Sequence, residues 1–451
     1  MTDLYQMQRG MRAMRRAANA RGVIAILDIG TSKVGCFVLR VDEGPETVPA
    51  PGAANDPHPV GPMAGQARVR VIGAAATRSR GVRFGEIEAM RDTERAIRTA
   101  VQAAQKMAGV RVDHAIACIA GGAPESFIAS GEVALEDERC TEADVARALA
   151  ACDLPPIAEG RHVLHAQPVH FALDHRVGLR DPRGQLGARL AVDMHLLTVD
   201  AAAVGNLSRA LRRCDLELAG VVSGAYAAGL SALVEDEQEL GAACVDVGGG
   251  ATGVSIFVKR HMVHAGCVRM GGDHVTSDIS KGLGVPLGQA ERIKNLHGGV
   301  QATGKDDREM IAFGGGTGDW EHDARTASRT ELIGIMRPRV EEILEEAAGV
   351  LGRAGFDALP SRAIVLTGGG SLIPGLPELA GRILGHPVRL GRPLRMRGVP
   401  QAHSGGAYAA LVGLALFAAH PQDEWWDFDL PADARSGRSL RRALRWMRDN
   451  W

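Results

Sequence analysis

The apolar and polar positions of the chain fall into a pattern that returns. Val23-Ile24-Ala25-Ile26-Leu27 is a continuous apolar run; it breaks at Asp28-Ile29-Gly30-Thr31-Ser32-Lys33, and a second run extends from Val34 to Arg40. Two short apolar runs around a polar, glycine-bearing break predict a β-hairpin whose turn is free for chemistry. The same text recurs as Ala242-Ala243-Cys244-Val245, then Asp246-Val247-Gly248-Gly249-Gly250-Ala251-Thr252, then Val254 to Val258, with Asp246 lying 218 residues after Asp28. Such a repeat implies a duplicated unit. A third apolar run, Ile364-Val365-Leu366, ends in Thr367-Gly368-Gly369-Gly370-Ser371.

Elsewhere, Val69-Arg70-Val71-Ile72 predicts a strand leading to a helix over about 86–107. From Val112 to about Arg189 the pattern predicts a self-contained α/β insertion, with a strand from His114 to Ala120, a helix capped at Thr141-Glu142-Ala143-Asp144 and strands near 163–173. Helices are expected at 201–214 and 331–353. Residues 43–67, rich in Pro, Gly and Ala, read as a disordered surface insertion. Residues 298–328 include Phe313-Gly314-Gly315-Gly316-Thr317-Gly318-Asp319, show no period and read as a loop. Gly405 to Ala419 is uncharged for 15 residues, short of the roughly 20 that a membrane span requires, so it is expected to be a buried helix.

Composition adds two things. The chain of 451 residues, 45% hydrophobic and 23% charged, can bury the cores of at least two folded units. Its net charge of −1 is uneven, because residues 1–22 and 438–451 each hold five Arg against one Asp, which leaves −9 between them. An acidic body argues against nucleic acid as a partner, and basic ends favour an anionic surface. The leader 1–22 is read as a disordered basic tail. The seven cysteines are scattered without a C-x-x-C pair, which argues against a zinc site and a disulfide framework. No apolar stretch of secretory type follows the N-terminal charges, so secretion is not expected.

The glycine turns suit a phosphate clamp, since glycine lets backbone N–H groups converge on an anion. Gly30, Gly248, Gly249 and Gly250 meet that need, and Asp28 and Asp246 at the strand ends can hold a divalent ion through waters. The chain has only six Lys among its 52 basic residues, yet Lys33 sits in the first turn, where a compact ammonium can meet a phosphate.

In the last segment, Leu440, Ala443, Leu444, Met447 and Trp451 share one helical face, and Arg438, Arg441, Arg442, Arg445 and Arg448 lie on or beside the other. Such a helix, 439–451, suits the headgroup plane of an anionic membrane, with Trp446 and Trp451 at the boundary. A short core helix or a protein-docking helix would carry the same stripe. Residues 421–438 read as an acidic linker. Its Trp425 and Trp426, together with Trp446 and Trp451, are expected to wait for an interface.

Taken together, Asp28-Ile29-Gly30-Thr31-Ser32-Lys33, Asp246 to Thr252 and Leu366 to Ser371 resemble the two phosphate motifs and the adenosine motif of the actin, Hsp70 and sugar-kinase superfamily. Within it the chain most resembles the FtsA family of bacterial cell-division proteins, over about residues 22–420. That likeness rests on Glu235-Asp236-Glu237-Gln238-Glu239-Leu240-Gly241, Gly271-Gly272-Asp273-His274-Val275-Thr276-Ser277-Asp278-Ile279, and Asp181 to Leu190. The resemblance implies an α/β, actin-like, ribonuclease-H-like duplicated fold, with two lobes around an ATP cleft and an inserted 1C subdomain. The subdomains would be 1A at 23–111, 189–224 and 389–420, 1C at 112–188, 2A at 225–275 and 354–388, and 2B at 276–353. The cofactors would be ATP and Mg²⁺.

By the same resemblance, Thr31, Ser32, Thr252, Gly271, Gly272, Gly368, Gly369 and Gly370 join the nucleotide site, and Glu291 and Lys294 of the helix around 290–294 bracket the adenosine. A solvated helix face would give the same residues. Subdomain 2B would receive the C-terminal peptide of the tubulin-like division GTPase FtsZ, with Arg339 and Glu342 as the binding pair, although an exposed i,i+3 ion pair would read alike.

Hydrolysing members of the superfamily place a Gln or Glu before the second phosphate motif to orient water. Here that stretch reads Val221-Val222-Ser223-Gly224-Ala225-Tyr226, so at most slow ATPase activity is expected and no catalytic residue is assigned. The implied role is an adaptor that self-associates into filaments on the cytoplasmic face of the inner membrane at the septum, anchors FtsZ there and recruits later division proteins through 1C. The alternatives are a cytosolic scaffold of the pilus-assembly type and a small-molecule kinase.

Overall fold

The computed structural model describes residues 2–42, 68–314 and 324–430. The insertion read at 43–67, the glycine-rich part of the 298–328 segment and the terminal helix 439–451 with its Leu440, Leu444, Arg445, Trp446, Met447 and Trp451 lie outside those residues.

The architecture is two similar sheets side by side, each flanked by helices, with a smaller sheet inserted into the first. Strands β1 (Val23–Ile29), β2 (Lys33–Asp42) and β3 (Arg68–Arg78) form an antiparallel meander, and the short pair β4 (Val82–Arg83) and β5 (Glu86–Ile87) follows. After the helix Met90–Ala108 comes β6 (His114–Ile119). The insertion comprises β7 (Glu125–Ala134), the helix Glu142–Ala150, β8 (Arg161–Leu173), β9 (Arg176–Leu179) and β10 (Arg189–Asp200), in sheet order β7-β10-β8-β9. The helix Ala201–Arg212 and β11 (Glu217–Ser223) complete the first sheet, in order β3-β2-β1-β6-β11.

The helices Gly224–Ala232 and Glu235–Leu240 lead to β12 (Ala242–Val247), β13 (Thr252–Val258) and β14 (His261–Val268). The helices Gly272–Leu283 and Leu287–His297, the hairpin β15 (Met310–Gly314) and β16 (Ala324–Ser328), and the long helix Arg329–Arg353 follow. Then come β17 (Ala363–Thr367), the helix Leu376–Leu384, β18 (Val388–Leu390) and the helix Ala409–Ala419. The second sheet runs β14-β13-β12-β17-β18, the order of the first with its strands renumbered. Register matches too: Asp28 lies opposite Gly35 and Asp246 opposite Gly253. The duplication legible in the sequence is therefore a duplication of topology.

The central strands are apolar without alternation because helices cover both faces. Ile24, Ala25, Ile26 and Leu27 are all buried, and so are Ala242, Ala243, Cys244 and Val245. Burial of each large aliphatic side chain contributes about 1.5–3 kcal/mol. The run Gly405–Ala419 does hold a buried helix, Ala409–Ala419, packed on Gly224–Ala232 so closely that a Cβ at Gly413 would stand 1.6 Å from the Ala227 carbonyl oxygen. Glycine is required there for close approach.

Besides the place of β6, expected inside the insertion but paired with β1 and β11 in the first sheet, four expectations need correction. The leader is a helix, Thr2–Ala20, whose buried face is Gln8, Met11, Arg15 and Ala18. Two of its arginines are paired with the acidic tail: Arg9 with Asp429 at 3.0 Å, and Arg12 with Asp427 and with Asp423 at 3.6 Å. Counted alone the leader is a solvated cationic tail, but the counter-charges of Arg9 and Arg12 sit more than 400 residues away.

The linker, secondly, is seated on the body over its first ten residues. Trp425 and Trp426 are 4% and 5% exposed in the core of the inserted subdomain. Thirdly, the segment 298–328 contains the β15–β16 hairpin, whose short alternation buries Ile311 and Phe313 while Met310 faces out. Lastly, the helix expected from 86 begins at Met90, since β5 and its turn occupy 86–89.

Candidate functional site

The two Asp-x-Gly turns close identically. Gly30 N–H donates to the Lys33 carbonyl at 3.0 Å, and Gly248 N–H donates to the Ala251 carbonyl at 3.0 Å. The turns face each other across the cleft between the sheets. Thr31 Oγ1 accepts from Gly85 N–H at 3.2 Å, and Ser32 Oγ donates to Asp273 Oδ1 at 3.1 Å. Together they border a cavity of about 540 Å³, large enough for a nucleotide.

Asp28, Gly30, Thr31, Ser32, Lys33, Asp246, Gly248, Gly249 and Gly250 all line this cavity. Asp28 sits beside Cys118 on the parallel neighbour β6, and Asp246 beside Thr367 on the parallel neighbour β17. Cys118 Sγ donates to Asp28 Oδ1 at 3.2 Å. Burial and then the charge of Asp28 push the Asp246 carboxyl up to about 7, against a smaller lowering by Lys33. Burial, followed by Asp28, pushes the Cys118 thiol up as well.

Two carboxylates crowded at the floor of a glycine-lined cavity form a site short of positive charge. Among the described residues no cluster of three or more His, Cys, Asp or Glu gathers that could hold a metal. This donor set fits Mg²⁺, which takes one or two carboxylates and completes its shell with waters and phosphate oxygens. Lys33 is drawn to the wall of the cavity, where its Nζ donates to the Ala407 carbonyl and lies 4.7 Å from the Tyr408 ring.

At the other end, Glu291, Lys294, Gly272, Gly368, Gly369 and Gly370 line the same cavity. Lys294 Nζ donates to Glu291 at 2.6 Å, to Thr276 Oγ1 at 2.7 Å and to the Gly272 carbonyl at 3.1 Å. Burial alone would raise the Glu291 carboxyl, but the hydrogen bonds from Lys294 and Thr276 hold it below its ordinary value. Gly368 adopts φ +86°, and a Cβ there would stand 2.4 Å from Asp246 Oδ1, so the third glycine motif abuts the second carboxylate.

Two expected residues lie behind the wall. Thr252 is buried with its Oγ1 donating to the Met270 carbonyl at 2.8 Å. Gly271 packs its backbone on the Gly248 and Gly249 carbonyls. Residues that the sequence reading missed include Gly85, Cys118, Gly224, Ala225, Asp273 and Asn295, all lining the cavity. Asp273 lies within the Gly271 to Ile279 motif, and Gly224 within Val221 to Tyr226, where related hydrolases carry a water-orienting residue. Cys118 carries no local sequence signal, because only the strand order brings it in, and Gly85 arrives on the turn between β4 and β5, its N–H on Thr31.

Arg339 lies away from the cavity on the helix Arg329–Arg353. Its Nε donates to Asp278 at 2.7 Å, and it pairs with Glu342 one turn on, so it ties that helix to Gly272–Leu283. No helix among the described residues is long and apolar enough to cross a membrane.

The family model described as "Cell division protein FtsA" matches residues 243–413, and that for the "SHS2 domain inserted in FTSA" matches 121–198, the inserted sheet. The Agrobacterium fabrum cell division protein FtsA is 36% identical over 395 residues, covering 88% of this chain and 86% of that protein. The Pseudomonas aeruginosa protein of the same name is 32% identical over 434 residues, with 95% and 98% covered. Among solved structures, the PilM-PilN type IV pilus biogenesis complex aligns with a TM-score of 0.57 at 15% identity, covering 88% of this chain and 99% of that one, a likeness of fold.

Proposed function

The chain belongs to the FtsA family of cell division proteins with an actin-like fold, and from that premise we propose that it is an ATP-binding, membrane-tethered polymer that holds FtsZ at the division site. The observation that carries the nucleotide part is the convergence of two matched turns, each ending a strand with an aspartate, on one cavity that also holds Glu291, Lys294 and the third glycine motif. In this reading the N–H groups of the two glycine turns bind the phosphates, and Asp28 and Asp246 hold Mg²⁺. Mg²⁺ supplies the positive charge that lets a triphosphate sit beside two carboxylates. Glu291 and Lys294 orient the adenosine.

The helix before the second turn presents only Gly224 and Ala225 to the cavity, with Ser223 as its cap. It offers no carboxylate or amide to order an attacking water, so nucleotide serves as an assembly ligand turned over slowly. Tethering is assigned to residues 439–451, with anionic lipids as the surface; a single such helix binds reversibly, and polymerisation multiplies it. The helix Arg329–Arg353 with Arg339 and Glu342 is the proposed seat of the FtsZ C-terminal peptide, and the inserted sheet that of later division proteins.

The test is co-sedimentation of the full chain with anionic vesicles, with and without Mg²⁺·ATP and FtsZ. Vesicle binding that recruits FtsZ and strengthens with ATP is expected. A chain that binds ATP but neither vesicles nor FtsZ would overturn the adaptor reading.

A further inference from the structure

One buried chain of hydrogen bonds runs from the tail segment to the cavity. Glu424 is 5% exposed and His165 is 1% exposed, and they meet at 2.7 Å between Oε1 and Nδ1. The other ring nitrogen, Nε2, accepts from Ser223 N–H at 3.0 Å. That bond fixes the tautomer: Nε2 has no proton, so Nδ1 carries one and donates it to Glu424. Gln167 donates a second hydrogen bond to the same carboxylate oxygen at 3.2 Å.

Ser223 caps the helix Gly224–Ala232, its Oγ accepting from Tyr226 N–H at 3.4 Å. The next two residues, Gly224 and Ala225, line the cavity. From the second lobe, Ser255 Oγ donates to the Ala225 carbonyl at 2.8 Å. The first turn of this helix is therefore held from both sides, by the second sheet and by the tail.

The tail end of the chain of bonds is itself pinned. Glu424 N–H donates to Asp427 at 2.9 Å, Asp427 pairs with Arg12 of the N-terminal helix, and Trp425 Nε1 donates to the Leu149 carbonyl at 3.2 Å. The segment thus joins the N-terminal helix, the inserted sheet and the first turn of the cavity helix.

We propose that Glu424 and His165 are positioning residues for the nucleotide site, so that seating of residues 421–430 and binding of nucleotide favour each other. The inference rests on the nucleotide reading above. Removing the carboxylate leaves His165 Nδ1–H buried and unpaired, and the ring turns to regain a partner at the expense of Ser223. Coupling is reciprocal, so nucleotide must tighten the seat by the factor that the seat tightens nucleotide.

The experiment titrates Mg²⁺·ATP against the full chain, its Glu424→Ala and Glu424→Gln variants, and follows hydrogen exchange in 421–430 with and without ATP. Glu424→Ala is expected to weaken ATP binding about tenfold, typical of such couplings. Glu424→Gln should stay within about threefold, because the amide oxygen still accepts from Nδ1–H. ATP should slow exchange in 421–430 of the wild-type chain. Wild-type exchange there that ignores bound ATP overturns the proposal without recourse to any variant, as does a folded Glu424→Ala chain with unchanged affinity. A wild-type chain that binds no ATP sinks the nucleotide reading first, and this inference with it.

Discussion

Ser32 and Asp273 meet at 3.1 Å across the cleft, joining the first turn of one lobe to the first turn of a helix in the other. The contact is tight around it: a Cβ at Gly249 would stand 1.9 Å from Ser32 Oγ and 3.0 Å from Asp273 Oδ2. Gly249→Ala therefore keeps the two turns apart. ATP affinity should fall at least tenfold, and adding Ser32→Ala to Gly249→Ala should recover part of it, since the main clash is with that hydroxyl. Equal affinity of the single and double variants in a nucleotide titration would contradict the contact.

Asp246 makes a pH prediction whose sign follows from its raised carboxyl. In the folded chain it ionises near 7, against an ordinary value of 3.8. Below 3.8 both states are protonated and nothing is lost; between 3.8 and 7 the unfolded chain gives up its proton first, so this group lowers stability as pH rises. Asp246→Asn should stabilise the nucleotide-free protein by an amount that grows from pH 4 to 7, to a ceiling of about 4 kcal/mol. The same variant should lose Mg²⁺·ATP binding. Denaturant unfolding at several pH values reads the first effect, and a gain that shrinks toward neutrality would refute the assignment.

His195 and His261 act in the opposite direction over part of that window. Burial foremost depresses them to about 3 and about 4, from 6.5. The unfolded chain takes up protons from 6.5 downward while the folded one does not, so their contribution is complete above 6.5 and is lost as pH falls toward 4. His195→Leu should flatten the slope of stability against pH between 6 and 4 by about one proton. An unaltered slope would place His195 in a wetter setting than its burial indicates.

The Arg339–Asp278 bond changes what a charge reversal at Arg339 can report. Arg339→Glu would set three carboxylates together, with Asp278 and Glu342, and should lower the melting temperature as well as weaken FtsZ-peptide binding. Glu342→Ala keeps the Arg339–Asp278 pair and isolates the surface effect. A fall in peptide affinity in that variant, at unchanged melting temperature, is the result expected of a peptide seat.

Met447→Glu places a carboxylate in the apolar stripe of 439–451, where burying an unpaired charge costs several kcal/mol. The variant should leave anionic vesicles while still binding ATP. Arg445→Glu should weaken vesicle binding mainly at low salt, because its contribution is screened Coulomb attraction. Sedimentation of Met447→Glu with vesicles would show that the stripe meets protein.

What the sequence made legible was whatever its own neighbours encode. The two turns, the capping box at Thr141 and the buried run before Ala419 each carry their cause within a dozen residues, and each stands as read. Cys118 reaches Asp28 only because β6 lies parallel to β1, and nothing near residue 118 announces it. The leader failed for the same reason. Arg9 and Arg12 read as solvated until Asp423, Asp427 and Asp429 are folded back onto them. Trp425 and Trp426, expected to await an interface, find theirs within the chain, in the core of the inserted subdomain.

The seat of residues 421–430 also sets posture. Only eight residues, 431–438, separate it from the stripe-bearing segment 439–451, and a fully extended chain of that length spans at most about 28 Å. If that segment lies on a membrane as a helix, as proposed, the body hangs on a short leash, fastened beside the N-terminal helix and the inserted sheet. That flank must then stay near the lipid. Neighbouring copies would stand the same way up before any contact forms between them, and the search for a filament partner would become two-dimensional and already oriented.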